Sequence, residues 1–162
     1  MIKLRNMTSI FILDSDRVLL LYRVGSRVIT SPTWCGIGGH FEAAELNDPC
    51  ACVLRELHEE TGLGADDIRD LRLKYVTLSK KGDEIRQNYY FFANLANRDF
   101  AINECDEGRL EWIDIDKALT LELPFSAGYC FRHYFDGGRD DDCVYAGIAS
   151  GGVCVIKKLE GD

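Results

Sequence analysis

The sequence has 162 residues, a length typical of one domain with a full hydrophobic core. Apolar residues make up 46% and charged residues 28%, which excludes a fibrous, low-complexity or largely disordered chain. The net charge of −8 argues against sequence-independent binding to nucleic acid polymers or an anionic membrane, because both need a basic surface.

The first half of the chain predicts a β-hairpin, a glycine-rich segment and a helix. Residues 8–13 and 17–23 are apolar runs with turn-forming residues between them, and their continuous character indicates strands covered on both faces. The glycine-rich residues 36–39 follow. The clearest helix comes next, delimited by Asp48 as N-cap with a proline after it and by Gly62 as C-terminal stop.

The second half predicts another hairpin and several shorter elements. Residues 74–79 and 85–95 are rich in Tyr, Phe, Val and Thr around a Lys-Lys-Gly-Asp turn. The further predicted elements are a strand at 109–113, helices at 116–122 and 126–135, a loop at 137–142, and strands at 143–148 and 153–159. The three consecutive aspartates of that loop are expected to be solvated. Since no repeat or linker interrupts the pattern, residues 1–162 are predicted to form a single domain.

The apolar runs and the cysteines bear on the cellular compartment. No apolar run approaches the roughly 20 residues that span a bilayer, and the N-terminus lacks the apolar region of a secretory signal. Seven cysteines form no C-x-x-C pair, which favours free thiols in a reducing compartment over a zinc site. We therefore expect a cytoplasmic protein without a membrane-spanning helix.

Three glutamates fall on one face of the predicted helix. Glu56, Glu59 and Glu60 are spaced i, i+3, i+4, so at about 100° per residue they lie within a narrow stripe. Like charges at this spacing repel, and acids near a helix C-terminus oppose its dipole. One explanation is a solvated face relieved by Arg55. The other is a site for Mg²⁺ or Mn²⁺, which prefer oxygen ligands and could also use a backbone carbonyl of the glycine-rich segment.

The residues around this stripe resemble the Nudix box, whose pattern is G-x5-E-x7-R-E-U-x-E-E-x-G-U, with U a bulky aliphatic residue. Residues 55–63, Arg-Glu-Leu-His-Glu-Glu-Thr-Gly-Leu, match the second half at every specified position. The first half begins at Gly39 and departs from the pattern, because nine residues instead of seven separate Glu45 from Arg55. We interpret this as a two-residue insertion around residues 46–48, which leaves the placement of Glu45 open and the helix glutamates undisturbed.

The resemblance implies an α/β fold, namely an α/β/α sandwich around a mixed β-sheet. It also implies hydrolysis, with a divalent metal, of a nucleoside diphosphate linked to another group. Carried over by position, it implies metal ligation by Glu59, Glu60 and the Gly38 carbonyl. Glu56 becomes a further ligand or the base that activates water, and Arg55 holds the carboxylates by charge-assisted hydrogen bonds.

Further candidates lie outside the box. Nudix enzymes of the MutT type often carry another acid on a later loop, and the segment with Glu104 and Glu107 is similar to that loop, with Glu107 the preferred candidate. Arg23 and Arg86 are candidate phosphate contacts, because guanidinium groups match phosphate oxygens. His40 is a candidate substrate contact. An ordinary acidic turn and ordinary surface ion pairs are the alternatives for these residues.

The resemblance predicts a pyrophosphatase that uses Mg²⁺, or alternatively Mn²⁺, on a small nucleotide. A single short domain resembles the members that cleave nucleoside triphosphates, including 8-oxo-dGTP, to a monophosphate and pyrophosphate. ADP-ribose, other nucleotide sugars, dinucleoside polyphosphates and a non-catalytic nucleotide-binding module are the alternatives. Trp34 and one ring of residues 89–92 are candidates for stacking on a base. The substrate, the general base and the oligomeric state stay open, with a homodimer as one candidate.

Overall fold

The computed structural model describes residues 1–24, 31–97 and 107–161. Its strands are β1 (Lys3–Asp14), β2 (Arg17–Arg23), β3 (Thr33–Cys35), β4 (Ile68–Lys81), β5 (Glu84–Leu95), β6 (Gly108–Asp114), β7 (Tyr145–Ser150) and β8 (Val153–Lys158). In the described part of the chain, these eight strands form one mixed sheet in the order β3-β2-β1-β5-β4-β7-β8, and β6 pairs with β2. The parallel pairs are β1 with β5 and β4 with β7, and the remaining pairs are antiparallel.

Helices cover both faces of this sheet. The helices are α1 (Pro49–Thr61), α2 (Ile115–Ala118) and α3 (Ala127–Phe135). On one face, Ile10 and Phe91 pack with Leu57 of α1 in a buried cluster. On the other face, Phe11 and Phe92 pack with residues of α2 and α3. The continuous apolar runs of the first hairpin therefore face a core on each side, and the predicted α/β/α sandwich is confirmed.

The ends of α1 follow from local chemistry. Asp48 accepts a hydrogen bond from the backbone N–H of Ala51 at 2.9 Å, which satisfies one of the free amides of the first turn. Pro49 occupies the first helical position, where no backbone donor is needed. Gly62 ends the helix with φ of 78°, a left-handed conformation that glycine adopts without a steric penalty. The predicted boundaries of this helix are confirmed.

Both predicted hairpins are confirmed, but several elements differ from the prediction. The strands β1 and β4 begin several residues earlier than predicted, because their polar first residues hydrogen-bond to β5 through the backbone. The short strand β3 was not predicted. The helix α2 ends at Ala118, because residues 119–121 continue only as turns.

The aspartate run after α3 departs from the solvated loop that its sequence predicts. Asp141 accepts hydrogen bonds from the Cys143 N–H at 3.0 Å, the Tyr145 hydroxyl at 2.9 Å and the Lys74 ammonium group at 3.2 Å. The side chain of Lys74 is only 2% exposed, so it needs this partner. The prediction was wrong for Asp141, because a lysine 67 residues earlier in the chain reaches it. The two neighbouring aspartates are exposed, as expected.

Two further observations concern the described residues alone. No helix in residues 1–24, 31–97 and 107–161 has the length and apolar character needed to cross a bilayer. Six cysteines lie in these ranges and none is in a disulfide bond; Cys50 is exposed, Cys143 is half-buried and the other four are buried. Cys105 lies outside the described residues.

Candidate active site

Arg55 organises the carboxylates of α1. Its Nη1 donates to Glu56 Oε1 at 2.9 Å and to Glu59 Oε2 at 3.0 Å. One guanidinium nitrogen therefore holds two of the three glutamates within two hydrogen-bond lengths of each other, which relieves part of their repulsion. The same guanidinium also donates to the backbone carbonyl of His40 at 3.0 Å, so the helix is tied to the glycine-rich segment.

Glu45 anchors Arg55 from the other side. Arg55 Nε meets Glu45 Oε1 at 2.7 Å and Arg55 Nη2 meets Glu45 Oε2 at 2.9 Å, a bidentate pair. The hydrogen bonds from Arg55 lower the pKa of Glu45 to about 2. A 3₁₀ turn at Ala43–Glu45 precedes this contact, and Glu45 also accepts from the Glu42 N–H at 2.9 Å. The nine-residue spacing between Glu45 and Arg55 is thus compatible with a direct contact, which the sequence alone left open.

Glu60 is a buried carboxylate between two donors. Only 6% of it is exposed, and it accepts from Arg23 Nη2 and from the Gly38 N–H, each at 3.0 Å. Burial nevertheless raises the pKa of Glu60 to about 8, against the opposing effect of Arg23. These contacts bring the end of β2, the glycine-rich segment and α1 together, and they leave Glu60 in surroundings that favour additional positive charge.

Glu107 joins this group from the start of β6. Arg23 Nη2, which binds Glu60, also donates to Glu107, whose side chain is 54% exposed. Arg23 Nε is buried and lacks a hydrogen-bond partner in the described part of the chain. The structure therefore brings together Arg23, Glu60 and Glu107, and it places an exposed acid beside a buried one. The other acid of that segment, Glu104, lies outside the described residues.

The glycine-rich segment makes room for Glu56. A Cβ atom at Gly39 would lie 2.5 Å from the Glu56 carboxyl group, so a side chain at this position would displace that carboxylate. Burial raises the pKa of Glu56, while Arg55 opposes this shift. His40, the next residue, is exposed, and partial burial followed by the charge of Arg5 lowers the pKa of its imidazole. Its imidazole therefore tends to stay neutral, and its backbone carbonyl is the part of His40 that contacts Arg55.

Arg86 lies apart from the carboxylates. It is buried on β5, where its Nε donates to Glu84 at 2.6 Å and its guanidinium group lies 5.4 Å from the Phe125 ring centre. Arg5 on the neighbouring strand also contacts Glu84, at 3.1 Å. Of the two arginines predicted to contact phosphate, the structure brings Arg23 to the glutamates and holds Arg86 in a separate ion-pair group.

The aromatic candidates for base stacking divide between core and surface. Tyr90, Phe91 and Phe92 are buried in the core and are unavailable to a ligand. Tyr89 is half-buried, with its ring centre 5.2 Å from that of Phe41. Trp34 on β3 is also half-buried, 4.9 Å from the Tyr22 ring.

The donor set suits a hard divalent cation. Among the described residues, no three acidic, histidine or cysteine side chains converge as a preformed metal centre. Instead, Arg55 bridges Glu56 with Glu59, and Arg23 bridges Glu60 with Glu107. Carboxylate oxygens are the ligands that Mg²⁺ and Mn²⁺ prefer, and the buried Glu60 lacks sufficient compensating charge. The residues therefore fit a divalent metal, which would take over part of the role of the two guanidinium groups.

Comparison with known proteins finds a matching family model and a relative in the same family. The family model described as the NUDIX domain matches residues 3–134 of the chain. An uncharacterized Nudix hydrolase of Bacillus subtilis, YvcI, is 27% identical over 137 residues, which cover 83% of this chain and 81% of that protein. The family match ends within α3, so the β7–β8 hairpin follows the matched segment.

Solved structures show the same fold. The crystal structure of a mutator MutT protein from Bacillus halodurans superposes with a TM-score of 0.64 at 25% identity, covering 89% of this chain and 88% of that one. The solution structure of the E. coli ORF135 protein has a TM-score of 0.66 at 16% identity, with 84% and 91% covered. The NUDIX domain of Shewanella oneidensis NrtR, solved with ADP ribose, has a TM-score of 0.61 at 16% identity, with 84% and 88% covered.

Proposed function

The chain belongs to the NUDIX family, and on that premise we propose that it hydrolyses a nucleoside triphosphate with the help of a divalent metal. As a Nudix hydrolase it acts on pyrophosphate bonds of nucleoside diphosphate derivatives. The observation that carries the finer proposal is the group of carboxylates that Arg55 and Arg23 hold together at the C-terminal half of α1.

The metal would be held by the carboxylates of this group. Glu56, Glu59, Glu60 and the carbonyl of Gly38 are the proposed ligands, and Mg²⁺ is the proposed ion, with Mn²⁺ as the alternative. A divalent cation bound there would neutralise charge on the phosphate oxygens and make an attacking water more acidic. The contact between the Gly38 N–H and Glu60 supports the inclusion of the glycine-rich segment.

We assign the positioning of the carboxylates and the acceptance of a proton to different side chains of the site. Arg55 is a positioning residue, because it holds Glu56 and Glu59 while Glu45 holds its guanidinium group. Glu56 or Glu107 would accept the proton of the attacking water, and both assignments stay open. The water oxygen bonds to phosphorus as the phosphoanhydride P–O bond breaks, so the products are a nucleoside monophosphate and pyrophosphate.

The proposed substrate contacts lie on two sides of the group. Arg23 and His40 are proposed to contact the diphosphate, since Arg23 lies against Glu60 and the backbone of His40 is bonded to Arg55. Arg86 is proposed to contact a part of the substrate away from the cleaved bond, because its partners are Glu84 and Phe125. The likeness to a mutator MutT protein supports a nucleoside triphosphate such as 8-oxo-dGTP. The likeness to an ADP-ribose-bound domain supports ADP-ribose as the alternative.

A substrate panel tests this proposal. The purified chain is incubated with nucleoside triphosphates, 8-oxo-dGTP, ADP-ribose and dinucleoside polyphosphates, with Mg²⁺ or with a chelator, and released pyrophosphate and phosphate are measured. We expect the highest kcat/KM for a triphosphate, with pyrophosphate as product, and no turnover with the chelator. A preference for ADP-ribose would replace the triphosphate proposal. Tight nucleotide binding without turnover over long incubation would favour a binding module.

A further inference from the structure

Two guanidinium groups hold the carboxylates of the candidate active site, and the first of them is anchored independently. The Nη1 atom of Arg55 contacts Glu56 and Glu59. Its Nε and Nη2 atoms are bonded to Glu45, at 2.7 and 2.9 Å, and Nη2 also donates to the His40 carbonyl at 3.0 Å. These further partners would keep the guanidinium group of Arg55 in place if Glu56 and Glu59 bound a metal ion.

The second guanidinium group, that of Arg23, lacks such an anchor at its Nε atom. Its Nη2 donates to Glu60 Oε1 at 3.0 Å and also to Glu107. Its Nε is buried and has no hydrogen-bond partner in the part of the chain that the structure describes. A buried donor without an acceptor costs free energy, so this orientation of Arg23 depends on its contacts with the two acids.

The backbone places Arg23 and Glu107 side by side. Arg23 ends β2 and is paired with Gly108, the first residue of β6. A Cβ atom at Gly108 would lie 2.2 Å from the Tyr22 carbonyl oxygen, so this close approach of the two strands needs a glycine. Glu107 directly precedes Gly108, and its side chain is 54% exposed. The charged end of Arg23 therefore contacts one exposed acid and one buried acid.

Glu60 offers one carboxylate oxygen for which Arg23 and a metal ion would compete. Its Oε2 accepts from the Gly38 N–H at 3.0 Å, whereas its Oε1 accepts from Arg23. Because only 6% of Glu60 is exposed, few other groups can reach Oε1. A divalent ion carries twice the charge of a guanidinium group, so its attraction to the two acids is the stronger one.

We propose that Arg23 is an exchangeable counter-ion of Glu60 and Glu107, which leaves these acids when they bind a divalent ion and then pairs with the phosphates of the substrate. The inference rests on the proposed function, because it concerns the same metal site and gives Arg23 its phosphate contact only after the metal has bound. The exchange couples the two binding events through one side chain, whose planar fork of donors matches phosphate oxygens. Arg55 does not take part, because Glu45 holds it.

Binding of Mn²⁺ alone provides the first test. Electron paramagnetic resonance of free Mn²⁺ gives the affinities of wild type, R23Q and R17Q without nucleotide. R23Q is expected to bind Mn²⁺ about 10- to 150-fold more tightly, because the ion no longer replaces a hydrogen bond between charged groups. R17Q removes an arginine at the other end of β2, which pairs with Asp14 at 2.7 Å, and it is expected to keep the wild-type affinity. Unchanged or weaker Mn²⁺ binding by R23Q would overturn the proposal.

Nucleotide binding with and without metal shows when Arg23 reaches the phosphates. Calorimetry with the non-hydrolysable α,β-methylene analogue of dGTP compares wild type and R23Q in Mg²⁺ and in a chelator. With Mg²⁺, R23Q is expected to bind about 10- to 150-fold more weakly, because a charge-assisted contact is lost. In the chelator, wild type is expected to bind no better than R23Q, because Glu60 and Glu107 hold Arg23. A loss that is equal in both conditions, or absent from both, contradicts the exchange.

A lysine variant and thermal melting separate the exchange from a purely structural role. R23K keeps the positive charge but not the planar fork of donors, so its Mn²⁺ affinity is expected to lie between those of wild type and R23Q. It also provides the comparison if R23Q does not fold. A residue needed only for folding would lower the melting temperature in both variants without raising their Mn²⁺ affinity.

The outcomes distinguish this inference from the proposed function. If the wild type hydrolyses nucleotides with Mg²⁺ while R23Q keeps the wild-type Mn²⁺ affinity, the exchange is wrong and the proposed function stands. If R23Q binds Mn²⁺ more tightly but no nucleotide is hydrolysed by the wild type, the proposed function fails, and the competition between Arg23 and the metal stands. If neither protein binds Mn²⁺, the metal site and the exchange both fail.

Discussion

Two groups of charged side chains lie on this sheet, and they have opposite electrostatic character. Around Asp141, the carboxylate accepts from the Cys143 N–H, the Tyr145 hydroxyl and Lys74, and these bonds hold its pKa below the ordinary value. Around Glu60, two donors are also present, yet burial raises the pKa to about 8. The donors around Asp141 therefore compensate its charge, whereas Glu60 would be stabilised by a further cation.

This difference separates a charged group that stabilises the fold from one that is suited to binding or catalysis. Asp141 stabilises the fold, since it neutralises the buried Lys74 and connects β4 to the segment before β7. Beside the C-terminal half of α1, five carboxylates surround the guanidinium groups of Arg23 and Arg55, an arrangement that costs free energy in the absence of a ligand. Such unfavourable arrangements of acids are typical of binding and catalytic sites.

The largest expected effect comes from neutralising the buried glutamate. E60Q is expected to lower metal-dependent turnover on the order of 10³-fold or more, because a proposed metal ligand is lost. Its melting temperature is expected to be unchanged or higher, since the variant removes a buried carboxylate next to Glu107. Turnover of the preferred substrate and thermal melting measure both effects. E42Q, which alters an exposed acid of the same segment, serves as the control and is expected to keep wild-type activity.

E59Q extends this test to the exposed carboxylate of the stripe. We expect a similar loss of turnover without loss of the fold, because Glu59 is a proposed ligand and its side chain is 55% exposed. If E59Q and E60Q both retain full metal-dependent turnover, the assignment of the site is wrong.

A smaller loss is expected when the guanidinium group of Arg55 is replaced. R55K keeps the positive charge but cannot form the bidentate pair with Glu45 while also holding Glu56 and Glu59. Loss of a residue that orients metal ligands typically costs about 10- to 100-fold in activity or metal affinity, and steady-state kinetics with a Mg²⁺ titration would measure both. The exposed Arg69 provides the matched control R69K. Wild-type Mg²⁺ affinity in R55K would contradict the positioning role.

Metal binding should stabilise the folded protein through the carboxylates around Glu60 and not through Asp141. At a Mg²⁺ concentration about 100 times its Kd, the free energy of unfolding rises by about 2.7 kcal/mol, which corresponds to roughly 5–10 °C in Tm for a protein of this size. We expect this rise in the wild type and in D141N, and a much smaller rise in E60Q. Melting curves with Mg²⁺ and with a chelator test it, and an equal rise in E60Q would place the ion elsewhere.

The smallest effect on activity is expected at Asp141. D141N should keep kcat/KM within about twofold, in line with substitutions away from a site, but should unfold more easily because Lys74 loses its charged partner. A carboxylate whose folded-state pKa is lowered contributes stability above its ordinary pKa of about 3.9, and this contribution is lost as the pH falls below that value. The melting temperatures of wild type and D141N should therefore differ at neutral pH and converge in acid. A constant difference would exclude the titration of Asp141 as its source.

Local interactions explain the parts of the molecule that could be predicted. The N-cap Asp48, Pro49 and the left-handed Gly62 act within a few residues of the ends of α1, so the sequence indicated both boundaries. The hairpin β4–β5 likewise depends on a short turn between two strands with strong β propensity. The contact between Arg55 and the glutamates at i+1 and i+4 is also local to one helix.

Contacts between distant segments explain what could not be predicted. Arg23 reaches Glu60 across 37 residues and Glu107 across 84, and the contact with Glu107 follows from the pairing of β2 with β6. Glu45 reaches Arg55 because a 3₁₀ turn precedes α1, which spacing alone does not reveal.

The sequence by itself determined the position of α1, the stripe of three glutamates and the resemblance to the Nudix box, because each depends on residue spacing within one helix. The tertiary structure decided which charged side chains have enough hydrogen-bond donors and opposite charges around them. Asp141 and Glu60 are both acids in an acidic chain. The fold pairs Asp141 with the buried Lys74, whereas burial leaves Glu60 with a raised pKa. The physical reason is that burial and donor geometry set the free energy of a charge, and both arise only when distant strands pack together.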